Sequence, residues 1–255
     1  MITKAHITRR AAQDNVPAVT VERDYVLAHV IAGVATLGDD TGLVFKGGTA
    51  LRLCHFDDYR YSADLDFSLV SGSIENGYEA ITRALVSAGR SVQGLHLTDD
   101  EPPRIAYVGP LGRERTLKLD LADDELVLST ERRRLLPRWP DLPKEASVHV
   151  YTLIEIAGEK LRCVLQRLQC RDLFDLFLLF EEVQVDATEA AMVFRPKAEH
   201  RGIDPDAFAA RYRERIDQYR KRWEVELREH VPGEIPHFGD VERRVTRHLR
   251  RAGLL

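Results

Sequence analysis

The apolar positions of this chain change rhythm about halfway along it. From Glu22 to Leu37, Tyr25, Val26, Ala28, His29, Val30, Ala32 and Val34 recur at helical spacing, and Gly38 supplies a stop. Leu43-Val44-Phe45 is a short apolar run ending in Gly47-Gly48, which predicts a buried strand entering a glycine turn. Ala50 to Phe56 reads as the next helix. Ala63 to Val70 alternates apolar and polar residues in the two-residue period of a strand. A helix is predicted over Ile74 to Gly89, and strands over Arg104 to Val108 and Arg115 to Leu121. Beyond about residue 125 the period becomes helical in Leu153 to Leu168, Leu173 to Val183 and Phe208 to His230. Pro137, Pro140 and Pro143 mark the connection between the halves. The pattern predicts an α/β domain over residues 1–125 and a mainly helical domain over 126–255.

Two segments carry the strongest chemical signal, Phe45-Lys46-Gly47-Gly48-Thr49-Ala50-Leu51-Arg52 and Arg60-Tyr61-Ser62-Ala63-Asp64-Leu65-Asp66-Phe67. Glycines between a strand and a helix let backbone approach a ligand, and the new helix end offers free N–H groups to phosphate. By itself such a turn is more often an ordinary tight turn, and its spacing is neither GxxxxGK[ST] nor GxGxxG. Asp64 and Asp66, two apart on a strand, face the same way. They repel each other unless a cation joins them or water surrounds them, and Mg²⁺ suits carboxylates shared with phosphate oxygens. A third carboxylate comes from Leu117-Lys118-Leu119-Asp120-Leu121, where Asp120 could hold metal or activate an attacking hydroxyl. Asp123 and Asp124 fall past that strand as turn residues.

These three elements resemble the polymerase-β-type nucleotidyltransferase fold, with a mixed sheet. With FKGGTALRL, RYSADLDF, LKLDL, IEIAGEKL and RDLFDLFLL in succession, the stretch from about Val21 to Leu179 resembles the AbiEii/AbiGii toxin family, which includes the MenT-like toxins. The resemblance implies a toxin of a two-gene toxin–antitoxin module. Such an enzyme moves a nucleotide, often a pyrimidine, from an NTP to the 3′ end of tRNA and blocks aminoacylation. It implies Mg²⁺ or Mn²⁺ on Asp64, Asp66 and Asp120. It implies NTP contacts from Gly47, Gly48, Thr49, Ser62 and Lys160, with Arg52 and Arg60 as weaker candidates. The family aspartate falls between Asp172 and Asp175; Asp175 is preferred for the cleft. Read from the residues alone, Lys160 edges the Leu153–Leu168 stripe and either snorkels to water or turns inward, and Asp172 could be a helix N-cap.

Composition adds limits. The 255 residues are 44% hydrophobic and 31% charged, enough for a core and a soluble surface. No apolar run reaches bilayer length and no signal-type h-region follows the basic N-terminus. Cys54, Cys163 and Cys170 form no CxxC pair and suit a reducing cytoplasm. The net charge of −4 argues against indiscriminate polyanion binding. Arg132-Arg133-Arg134 with Arg138, and the arginines of the last third, are either solvated faces or local RNA contacts. Arg132–Arg134 follow the Asp120 strand and are expected beside its carboxylates. Two alternatives to tRNA stay open: transfer to a protein or small molecule, and an inactive nucleotide-binding regulatory module.

Overall fold

A computed structural model describes residues 2–255. The chain divides into two compact units. The first comprises the chain up to Asp124, then Thr130–Val150 and Glu229–Gly233; the second comprises Glu125–Ser129, Tyr151–Arg228 and Glu234–Leu255.

In the first unit, α1 (Lys4–Asp14) and α2 (Ala18–Ala35) precede β1 (Leu43–Lys46). A helical turn, α3 (Gly47–Ala50), continues as a π-helical turn over Leu51–His55. Then follow β2 (Asp64–Leu69), α4 (Ile74–Ala88), β3 (Gln93–Leu97), β4 (Arg104–Val108), β5 (Glu114–Ala122), β6 (Thr130–Arg134) and β7 (Ser147–Tyr151). Among the described residues the strands form one mixed sheet in the order β3-β4-β5-β2-β1-β7-β6. β1 runs antiparallel to β2 and parallel to β7, and β2 runs parallel to β5.

The expected mixed α/β architecture is present, but the boundary at 125/126 is not where the chain divides. Residues 130–150 return to the sheet as β6 and β7, which the proline-marked connection concealed. Residues 125–129 belong with the helices, and buried charge explains why. Both Glu155 oxygens accept backbone N–H bonds, from Leu128 and Ser129, each at 3.1 Å. Lys197 Nζ sits 2.6 Å from Glu155 and donates to the Leu126 carbonyl at 2.6 Å.

α2 is buried on nearly every side, polar residues included. Glu22 accepts from the Leu111 backbone at 2.6 Å and from Arg115 at 3.1 Å, fixing the β4–β5 turn. Asp24 accepts from Trp139 and pairs with Arg52. Buried polar groups are tolerated when paired in this way.

The second unit contains α5 (Leu153–Gln166), α6 (Cys170–Phe177), α7 (Ala187–His200), α8 (Phe208–Leu227) and α9 (Phe238–Arg251). The apolar stripe of α5, including Ile156, Ala157, Leu161 and Val164, is buried, and α5 packs against α7. The single helix expected over 173–183 is instead α6 followed by a π-helical turn, Leu178–Glu182. Among the described residues no helix is long and apolar enough to cross a membrane.

Candidate active site

Strand register brings the predicted carboxylates together. Phe45 pairs with Phe67, and their rings lie 5.4 Å apart on one face of the sheet. The next pair, Lys46 and Asp66, therefore faces the other way. On the far side of β2, Asp66 aligns with Asp120 and Asp64 with Lys118. Leu117 and Leu119 are buried, which turns Lys118 and Asp120 to the carboxylate face. One face thus carries the row Lys46, Asp66, Asp120 across three adjacent strands, with Asp64 and Lys118 beside it. The Asp120 side chain is 51% exposed and Lys118 Nζ lies 3.5 Å from it.

The glycine turn abuts this row. Gly47 has φ +76, a left-handed value, and an added Cβ would lie 2.6 Å from Asp66 Oδ2. A Cβ at Gly48 would meet Arg60 Nη2 at 2.6 Å and Ser62 Oγ at 3.2 Å. Both glycines are required by close approach, and Ser62 stands against the turn as its motif suggests. The Thr49 hydroxyl donates to the Asp64 carbonyl, tying the turn to β2.

The two arginine candidates for NTP contact are buried. Arg52 is buried: it pairs with Asp24, donates to the Tyr59 carbonyl and stacks 3.7 Å from the Tyr61 ring centroid. It braces the fold and is not a surface or open-site cation, which corrects the expectation of an NTP contact. Arg60 is also buried, donating to the Tyr61 carbonyl at 3.1 Å, rather than a surface ion-pair partner. Arg138 donates to the Arg52 and Phe56 carbonyls, and burial pulls its pKa down to about 10.

Arg132 to Arg134 form strand β6, not a loop. They lie at the sheet edge, four strands from β5, so the expected position beside Asp120 is wrong.

In the second unit, Lys160 neither snorkels nor stands alone. It is 6% exposed, 2.9 Å from Asp172 and 2.7 Å from Asp175. Asp172 is not an N-cap; Gln169 holds that position and Asp172 lies in the first turn of α6. Arg167 binds Asp172 through Nε at 2.9 Å and Nη2 at 3.1 Å. Burial pushes the Asp172 pKa up, but Lys160 and Arg167 outweigh it and hold it below its usual value. Sequence reasoning missed Lys46, whose signal was its place just before the glycines, and Arg167, one helix end from Lys160.

Among the described residues no group of three or more Asp, Glu, His or Cys side chains is placed to hold a metal ion. Mg²⁺ needs none: it takes one or two carboxylates and completes its shell with phosphate oxygens and water. Asp66 and Asp120, adjacent in register, the first partly and the second half exposed, fit that requirement.

Comparison with known proteins identifies the family and the fold. Residues 30–246 match the family model described as nucleotidyl transferase AbiEii toxin, type IV TA system. The fold is similar to MenT4, a nucleotidyltransferase toxin from Mycobacterium tuberculosis H37Rv, with TM-score 0.63, 20% identity, and 97% of this chain and 99% of that chain covered. An antigenic nucleotidyltransferase-like protein from Paracoccidioides brasiliensis matches more distantly, with TM-score 0.40, 16% identity, and coverage of 72% and 91%. No curated protein matches significantly.

Proposed function

We propose a function from the premise that this chain belongs to the AbiEii nucleotidyl transferase toxin family. It is a nucleotidyltransferase toxin of a toxin–antitoxin system, and the family implies an NTP substrate and an antitoxin partner. In the reading proposed, it transfers a nucleoside monophosphate, from a pyrimidine NTP, to the 3′ end of tRNA, using Mg²⁺ or Mn²⁺, and so blocks aminoacylation.

The observation that carries this reading is the in-register pair Asp66–Asp120 against the Gly47-Gly48 turn. Backbone N–H groups of the turn, Thr49 included, bind the phosphates with the Ser62 hydroxyl, while the Thr49 hydroxyl stays on the Asp64 carbonyl. Asp66 and Asp120 would hold the divalent ion, with Asp64 beside them on the same strand face. The chemistry such an ion supplies is charge stabilisation at the α-phosphate and the leaving pyrophosphate. Asp120, the most open of the three, accepts the proton of the attacking hydroxyl. Lys160 and Asp175 enter through the family pattern. Within the second unit two carboxylates hold the Lys160 ammonium.

The test is incubation of the full chain with each labelled NTP and divalent metal, separately on total RNA and on protein extract. The expected result is label in the tRNA band, from CTP or UTP, lost on chelation. Label on protein alone would overturn the acceptor assignment.

A further inference from the structure

The carboxylate face does not end at Asp120. One strand further, β4 sets Arg104 directly opposite Lys118, and the neighbouring pair Ile105–Leu117 is buried. Arg104 Nε donates to Thr116 Oγ1 at 2.9 Å, so its guanidinium leans over β5 on the same side as Lys118. Read from β1 to β4, the face presents Lys46, then Asp66 with Asp64, then Asp120 with Lys118, then Arg104. The glycine turn stands at the β1 end and the cations at the β4 end.

We infer that Arg104 and Lys118 form the subsite for backbone phosphates of a nucleic-acid acceptor. The inference rests on the RNA reading above and says from which side the RNA arrives. If the turn holds the NTP phosphates, the β1 side is taken. In-line displacement needs the attacking oxygen opposite the leaving pyrophosphate. A hydroxyl approaching from the free side passes over β5 and β4. The strand carrying that hydroxyl brings its own phosphates, and Arg104, in register with Lys118 and Asp64 and about 10 Å from Asp64 across two strand spacings, is where they meet positive charge.

Lys118 is suited to this use. Half of its side chain is exposed and its contact with Asp120 is 3.5 Å, an ion pair that water largely screens. A divalent ion on Asp120 weakens that hold further and leaves the ammonium to the acceptor. The competing role is simple shielding: cations that only relieve repulsion among three carboxylates.

The experiment compares the full-length wild type with the Arg104→Gln/Lys118→Gln double variant, using total tRNA and whichever labelled NTP the wild type transfers. The expected result is a roughly tenfold higher KM for RNA, an NTP KM within about twofold of wild type, and an unchanged melting temperature. The slope of log KM for RNA against log salt should become shallower by roughly 1.4, the loss of two phosphate contacts. Arg104→Lys/Lys118→Arg should restore both. An RNA KM and salt slope equal to wild type would overturn the inference while the RNA reading stands. So would a change confined to the metal concentration required, which would assign both cations to shielding. Wild type that labels protein and not RNA would defeat the RNA reading itself, and this subsite with it.

Discussion

Two clusters of acidic and basic side chains in this chain use the same residue types in opposite ways. In the first unit, Asp64, Asp66 and Asp120 share one sheet face, with Asp120 half in water. In the second, Lys160, Asp172 and Asp175 are nearly sealed, with Arg167 closing over Asp172. Water screens like charges on an open face, so carboxylates can stand side by side there and keep capacity for a ligand. Inside the helical unit no such screening exists, and each charge must be met by its opposite. Removing a group from the open cluster should be read out in chemistry. Removing one from the closed cluster should be read out first in stability.

The largest effect tests the open cluster. Asp66→Asn keeps the shape of the side chain and removes its charge. Transfer should fall by about 10³-fold or more, equivalent to roughly 4 kcal/mol of lost charge stabilisation. The melting temperature should change much less than activity, because relief of the like-charge pair with Asp120 is offset by the lost charge opposite buried Lys46. Turnover within tenfold of wild type would remove Asp66 from the chemistry.

Asp172→Asn tests the closed cluster, with a smaller effect of a different kind. Breaking a buried pair costs about 3 kcal/mol, measurable by chemical denaturation at neutral pH. The wild-type pH dependence has a definite sign. Lys160 and Arg167 hold the folded-state pKa of Asp172 below its ordinary 3.8, against the opposing push of burial. Its contribution is therefore present above about pH 4 and lost as pH falls through the folded value. The variant should lose less stability than wild type between pH 5 and pH 2. Unchanged stability with abolished transfer would break the comparison and move Asp172 into the chemistry.

How much of this was legible in the sequence follows from the range of the interactions. The glycine turn and the Asp64–Asp66 pair are local patterns, fixed by strand alternation and by the absence of Cβ. Asp120 was legible because Leu117, Leu119 and Leu121 mark the buried face. The Lys46–Asp66–Asp120 row depends on which strands become neighbours, and no local period encodes that. Lys160 sat visibly at the edge of an apolar stripe, yet its partners come from α6, so its burial required the tertiary packing of α5 on α6. β6 was hidden because Thr130–Arg134 carries no apolar alternation. Its inward positions, Glu131 and Arg133, are charged and only partly buried, so no apolar face marks it, and its charges blunt an open edge. The movement of residues 125–129 to the helical unit turns on Glu155 and Lys197, 42 residues apart in the chain.

The smallest expected effect concerns Arg132, Arg133 and Arg134, which the sequence suggested as RNA contacts. Each already has a partner near the surface. Arg132 pairs with Asp39, Arg134 with Glu145 at 2.7 Å, and Arg133 with Glu131 at 3.4 Å and His55 at 3.1 Å. Exposed pairs of this kind contribute about 0–1 kcal/mol each. Four strand spacings separate β6 from β5, roughly 19 Å. That exceeds the screening length of about 8 Å at physiological salt, so these charges do little for Asp120 or for an acceptor arriving over β4. A triple alanine variant should keep its RNA KM and NTP KM within about twofold of wild type. The same assay ranks it against Arg104→Gln/Lys118→Gln. If the triple variant weakened RNA use more than that double variant, the acceptor would approach from the β6 edge, and the order of donor and acceptor across the sheet would have to be reversed.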